Sequence, residues 1–175
     1  MNATTEHPTA PAEPAKLAHT IAALAGVVGH ERYPAADRAA LKRWAPGQPV
    51  PLAFYRLWLR HLGEEPPHEA QTEAWMTLAW GLAMMGKDAH QPRRPLGQAL
   101  AAADFAEGRL ERLLAAPEEL RIELFMSAVR YLTAKGEGFD WTEAAAFLLT
   151  LDADKREAIH RRIAQGYYSN LKRGE

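Results

Sequence analysis

Cysteine is absent from the chain, so disulfides, thiolate metal sites and a cysteine nucleophile are all excluded. With them goes any reason to invoke an oxidising compartment. Serine is scarce: Ser127 falls within a helical pattern and Ser169 near the end, and neither sits in a G-x-S-x-G setting. No glycine-rich phosphate loop occurs. The N-terminal stretch lacks both the basic start and the apolar run of a targeting signal; residues 1–14, rich in Pro, Ala and Thr, read as a flexible tail. The most apolar stretch, 74–86, is too short to span a bilayer and suits a buried core helix. A cytoplasmic protein without membrane contact is the expectation.

Strong charge of one sign is missing too. The formal net charge is -1, which argues against a freestanding high-affinity nucleic-acid binder. The basic residues are nevertheless grouped: Arg38/Lys42/Arg43, Arg56/Arg60, Arg93/Arg94, Arg109/Arg112, Lys155/Arg156 and Arg161/Arg162. A weak binder held in place by protein neighbours can work with such patches.

No segment alternates with the period of a strand, and helical punctuation dominates. The spacing predicts a first helix over 15–28, with Leu17, Ile21, Leu24 and Val28 on one face. A short helix over 37–44 follows Pro34, and a third spans 52–62. Pro66 and Pro67 open a long fourth helix that ends near Gly86. Residues 87–95 hold two prolines and two arginines and read as an exposed connection. Beyond it, short helices over 96–103 and 107–116 precede a long one that starts after Pro117 and stops at Gly136. Asp140 with Glu143 three residues on resembles a capping box. Asp152 can cap the last helix, whose stripe is Ile159, Ile163 and Tyr167. The fold class is therefore all-α: two small helical bundles, 15–88 and 95–173, joined by a loop near residue 90. Trp58, Trp75, Trp80 and Trp141 fall within apolar helical patterns and belong to the core.

Four segments carry a resemblance. They are Asp37 to Arg43 with Pro51 to Leu57; Pro95 to Leu100; Phe105 to Leu114; and Arg130-Tyr131-Leu132 through Phe139-Asp140-Trp141 to Lys155-Arg156 and Tyr167-Tyr168. In this order and spacing the chain resembles the CasB family, the small subunit of the type I-E CRISPR Cascade complex. Where the family often has further basic residues beside Arg109 and Arg130, this chain has Gly108 and Val129.

The resemblance implies a non-catalytic subunit of two helical bundles, present in two copies beside the repeating backbone subunits and the large subunit. It implies contact with guide RNA, target DNA and the displaced strand, stabilising the R-loop, with no cofactor. Such a scaffold follows a sugar-phosphate backbone without reading bases, because guide pairing supplies the specificity. The candidate contacts are Arg38, Lys42, Arg43, Arg93, Arg94, Arg109, Arg130, Lys155 and Arg156. Arg38 and Lys42 are four apart and share a helix face. Lys155 and Arg156 sit in a first helical turn, where the helix dipole disfavours cations, which points to an external anion or to the nearby Asp152 and Asp154.

Competing readings attach to other residues. A helical protein–protein adaptor would have the same fold without nucleic acid. Arg56 and His61 form the Arg-x4-His pattern of HEPN-type ribonucleases, a short pattern common by chance. His61, Glu64, Glu65, His68 and Glu69 suggest a metal cluster, yet they straddle a turn with two prolines and read as solvated loop residues, so no metal is expected. Tyr168 is free to stack on a base, while Lys172/Arg173 read as a solvated face.

Overall fold

Four of the helices start directly after a proline in extended backbone. Pro34, Pro51, Pro95 and Pro117 (φ between -55 and -68°) precede α2 (Ala35–Arg43), α3 (Leu52–Arg56), α5 (Leu96–Ala102) and α7 (Glu118–Lys135). The fixed ring torsion pre-sets the entry, and a helix end needs no N–H there. Asp140 and Asp152 start α8 (Trp141–Leu149) and α9 (Ala153–Asn170) by accepting from the Thr142 and Lys155 amides, both at 2.9 Å. The remaining helices are α1 (Glu13–Val28), α4 (Glu69–Met85) and α6 (Glu107–Leu114). This computed structural model describes residues 13–63 and 65–172, and the described chain is all-α, without a strand. Most of the expected tail, together with Glu64 and Arg173, lies outside the described residues.

Three local expectations need correction. The third helix is not α throughout: from Leu57 to Leu62 it widens into a π-helix that ends at Gly63 in the left-handed region. The fourth begins at Glu69 rather than at the prolines, because His68 Nδ1 accepts from the Ala70 amide at 3.2 Å. The capping box is only half made. Asp140 caps, but its own amide donates to the Arg94 carbonyl at 2.8 Å, which leaves Glu143 Oε1 buried without a partner.

Helix α4 is the axis of the fold. Every residue from Trp75 to Ala83 is buried, and the helix packs against α1 and α2 on one side and α7 and α8 on the other. Trp80, Trp141, Phe54, Phe125, Phe139 and Phe147 are fully buried, each contributing on the order of 2 kcal/mol of apolar transfer energy. Buried side chains from before and after residue 90 belong to one continuous core.

The connection near residue 90 is also not an exposed strap. Ala89 is buried, and the Phe139 amide donates to its carbonyl at 3.1 Å while the Gln91 amide donates to the Phe139 carbonyl at 2.9 Å. This short parallel pairing joins His90 to Phe139. Trp141 Nε1 adds a bond to the Ala89 carbonyl at 3.1 Å. Elsewhere α5 and α9 meet at backbone distance through Gly97.

Candidate nucleic-acid interface

The nine candidate basic residues separate by what their head groups touch. Arg38 turns inward and donates to the Val28 and His30 carbonyls, closing the end of α1. Arg94 donates to the Gly138 carbonyl and pairs with Glu137, both at 2.6 Å. Arg156 bonds the Thr150 carbonyl and pairs with Glu118, again at 2.6 Å. These three fasten the fold.

Lys42, Arg43, Arg93, Arg130 and Lys155 are exposed, and none has a carboxylate partner among the described residues. Arg93 is held at φ 72° in a turn closed by the Arg94 amide on the Gln91 carbonyl at 3.1 Å. That is the third position of a tight turn, which glycine normally fills. Arg130 lies over Trp80, its guanidinium carbon 5.0 Å from the ring centre.

Arg109 is intermediate. Its guanidinium sits 4.6 Å from the Phe105 ring and 5.0 Å from the Tyr131 ring, with Ser127 Oγ at 3.4 Å. Aromatic faces hold it in place without cancelling its charge, which leaves donors for an external anion. Glu107, two residues before it, does not take its charge, since that carboxylate accepts from the Tyr168 hydroxyl. Tyr168 is thereby tied down, and Tyr167 donates to the buried Phe105 carbonyl at 2.5 Å.

Lys135 belongs with this group although its sequence neighbours give no basic cluster. Its ammonium stands 5.6 Å from the Tyr131 ring centre, one helical turn along α7. The spacing of four from Tyr131 is the only signal the sequence carries. Arg121, equally unmarked, is buried and donates to the Phe147 carbonyl at 3.0 and 2.7 Å, with His160 Nε2 at 3.3 Å. Burial lowers its pKa from the usual arginine range. Its role is structural.

Ser127, Arg130, Tyr131 and Lys135 recur at three- and four-residue spacing, so α7 presents them along one side with Arg109 reaching across from α6. The arrangement offers cations on rigid helices, spaced along the protein surface. It suits polyanion contact better than chemistry.

The residues of the competing readings are placed differently. Arg56 pairs with Asp37 at 2.6 Å, and the His61 ring rests edge-on to Tyr33 at 6.1 Å. Tyr33 is buried beside Asp37, which pushes its hydroxyl up to about 12. Among the described residues, no group of three or more His, Asp and Glu side chains is arranged to hold a metal. Among them, too, no helix is long and apolar enough to cross a membrane.

Comparison with known proteins adds the following. A family model described as CRISPR-associated protein Cse2 matches residues 37–168. A crystal structure of a CRISPR-associated protein of the Cse2 family from Thermus thermophilus has the same fold. It is 22% identical, with a TM-score of 0.68 over 91% of this chain and 99% of that one. A search of curated proteins gave no match.

Proposed function

The chain belongs to the CRISPR-associated Cse2 family, also called CasB, and we propose that it is the non-catalytic small subunit of a type I-E Cascade complex. In this reading it lies beside the repeating backbone subunits and the large subunit, in two copies. It contacts guide RNA and target DNA through their phosphates and stabilises the R-loop and the displaced strand during antiviral defence, in the cytoplasm. The observation that carries the reading is Arg109, Arg130 and Lys135 presented by α6 and α7 on aromatic supports, with no carboxylate taking their charge among the described residues. Lys42, Arg43, Arg93 and Lys155 extend the contacts. Arg38, Arg94 and Arg156 support the surface from within.

The weak net charge fits a subunit whose partners supply most of the binding energy. The test is target-DNA binding by the reconstituted guide-RNA complex, with and without this chain, across a salt series. Adding the chain slows R-loop dissociation and steepens the salt dependence. Arg109→Glu and Arg130→Glu each remove roughly 0.7 to 0.9 from the log–log salt slope while helicity is retained. A chain that joins the complex without changing the slope is an adaptor instead.

A further inference from the structure

The opposite end of α7 has the reverse character. A groove of about 400 Å³ opens between its first two turns, the start of α4 and the end of α8. The floor is apolar, formed by Ala74, Ile122, Leu148 and Leu149, and Leu151 stands at the lip with 72% of its surface exposed. Glu73, Glu118, Glu119 and Glu123 line the walls. Glu118 is taken by Arg156, but the other three have no ion-pair partner among the described residues. Among the described residues, the one cation lining the groove is Arg121, which is buried and spends its donors on the Phe147 carbonyl and His160.

An apolar floor under a carboxylate rim selects its occupant by complementarity. Nucleic acid is repelled, and an acidic peptide likewise. A cationic segment without apolar side chains would leave the floor wet. We propose that this groove seats a short amphipathic segment of a protein partner, one or two aliphatic side chains flanked by Lys or Arg. Glu119 and Arg130 lie about three turns apart on α7, roughly 16 Å. That exceeds the screening length of about 8 Å at physiological salt, so the groove and the Arg109, Arg130 and Lys135 surface recruit independently. The inference therefore stands or falls apart from the nucleic-acid reading.

The experiment uses the full chain, labelled with nitrogen-15, and two synthetic peptides of equal length and charge, one of Lys and Leu and one of Lys and Ser. The Lys/Leu peptide shifts the amide signals of Ala74, Ile122 and Leu149 and binds at least about tenfold more tightly than the Lys/Ser peptide. The Glu119→Lys/Glu123→Lys double variant loses that binding by about tenfold or more, while its DNA effect in the guide-RNA complex is unchanged. Equal binding of both peptides, shifts confined to other surfaces, or undiminished affinity in the double variant would each overturn the proposal. Should charge reversal disturb α7, the Glu119→Gln/Glu123→Gln pair makes the same comparison without adding positive charge.

Discussion

Arg38 holds the carbonyl oxygen of Val28 with two of its nitrogens, Nη2 at 3.0 Å and Nε at 3.3 Å. A basic residue on an exposed-looking helix face is thus part of the scaffold, completing the C-terminal end of a neighbouring helix. Arg38→Ala leaves the Val28 carbonyl without its donors, and the His30 carbonyl with the Tyr33 amide alone, and lowers stability by about 2 kcal/mol. Lys42→Glu and Arg43→Glu, one turn on, leave the urea midpoint essentially unchanged and weaken DNA retention by the complex. Denaturation curves set beside binding at one salt concentration check the pair, and the opposite pattern would reverse their roles.

Arg93 carries a backbone cost that its side chain does not repay within the fold. A left-handed conformation disfavours any side chain by about 1 kcal/mol, and the exposed Arg93 has no partner among the described residues. Arg93→Gly accordingly raises stability by up to about 1 kcal/mol, partly offset by a more flexible unfolded chain. If the arginine meets phosphate, the same variant weakens DNA binding. A variant that gains stability and keeps full binding removes Arg93 from the interface.

Gly97 and Gly166 make an internal control. A Cβ on Gly97 would overlap the Ile163 carbonyl oxygen and stand 2.5 Å from the Tyr167 nitrogen, both rigid backbone. On Gly166 the nearest atoms are 3.5 Å away. Gly97→Ala forces α5 and α9 apart and costs about 3 kcal/mol, whereas Gly166→Ala is tolerated or mildly stabilising. Thermal melts of the two variants show the difference directly.

Stability falls with acid below about pH 6.5. Burial lowers the pKa of His90, against the pull of Asp140, and burial with Arg121 lowers that of His160. The unfolded chain then takes up protons before the folded one, so stability declines from the ordinary histidine value of 6.5 toward the lower folded values. His90 Nδ1 also accepts from the Trp141 amide at 3.1 Å, a bond that protonation abolishes. Glu143 acts in the opposite sense: burial raises its pKa, so its cost grows as pH rises above 4.5. Urea midpoints between pH 7.5 and 5.5 decline in the parent, and replacing His90 and His160 flattens the decline. An unchanged slope would show that the two rings stay accessible to protons.

Helix-scale order was legible in the residues because it is local. Ile159, Ile163 and Tyr167 are buried as their spacing predicts, and Trp58, Trp75, Trp80 and Trp141 are core residues. Pairings across long separations were not. Nothing near residue 90 announces that Phe139 will take its backbone, or that Gly138 and Glu137 will take the head group of Arg94. The same blindness makes Arg156 look costly at a helix start, when Thr150 and Glu118 hold it there. Basic groupings alone cannot separate arginines that serve a carbonyl from those left facing outward, since the partner lies in another helix.

The pairing of His90 with Phe139 also dictates an order of events while the chain is being made. The Ala89 carbonyl and the Gln91 amide lack their backbone partner until Phe139 follows them out of the ribosome. Helix α4 meanwhile displays the apolar surface that α7 and α8 will later cover. The first half must therefore wait, partly uncovered, for the second, and that interval is when such a chain is most exposed to aggregation and most in need of a chaperone.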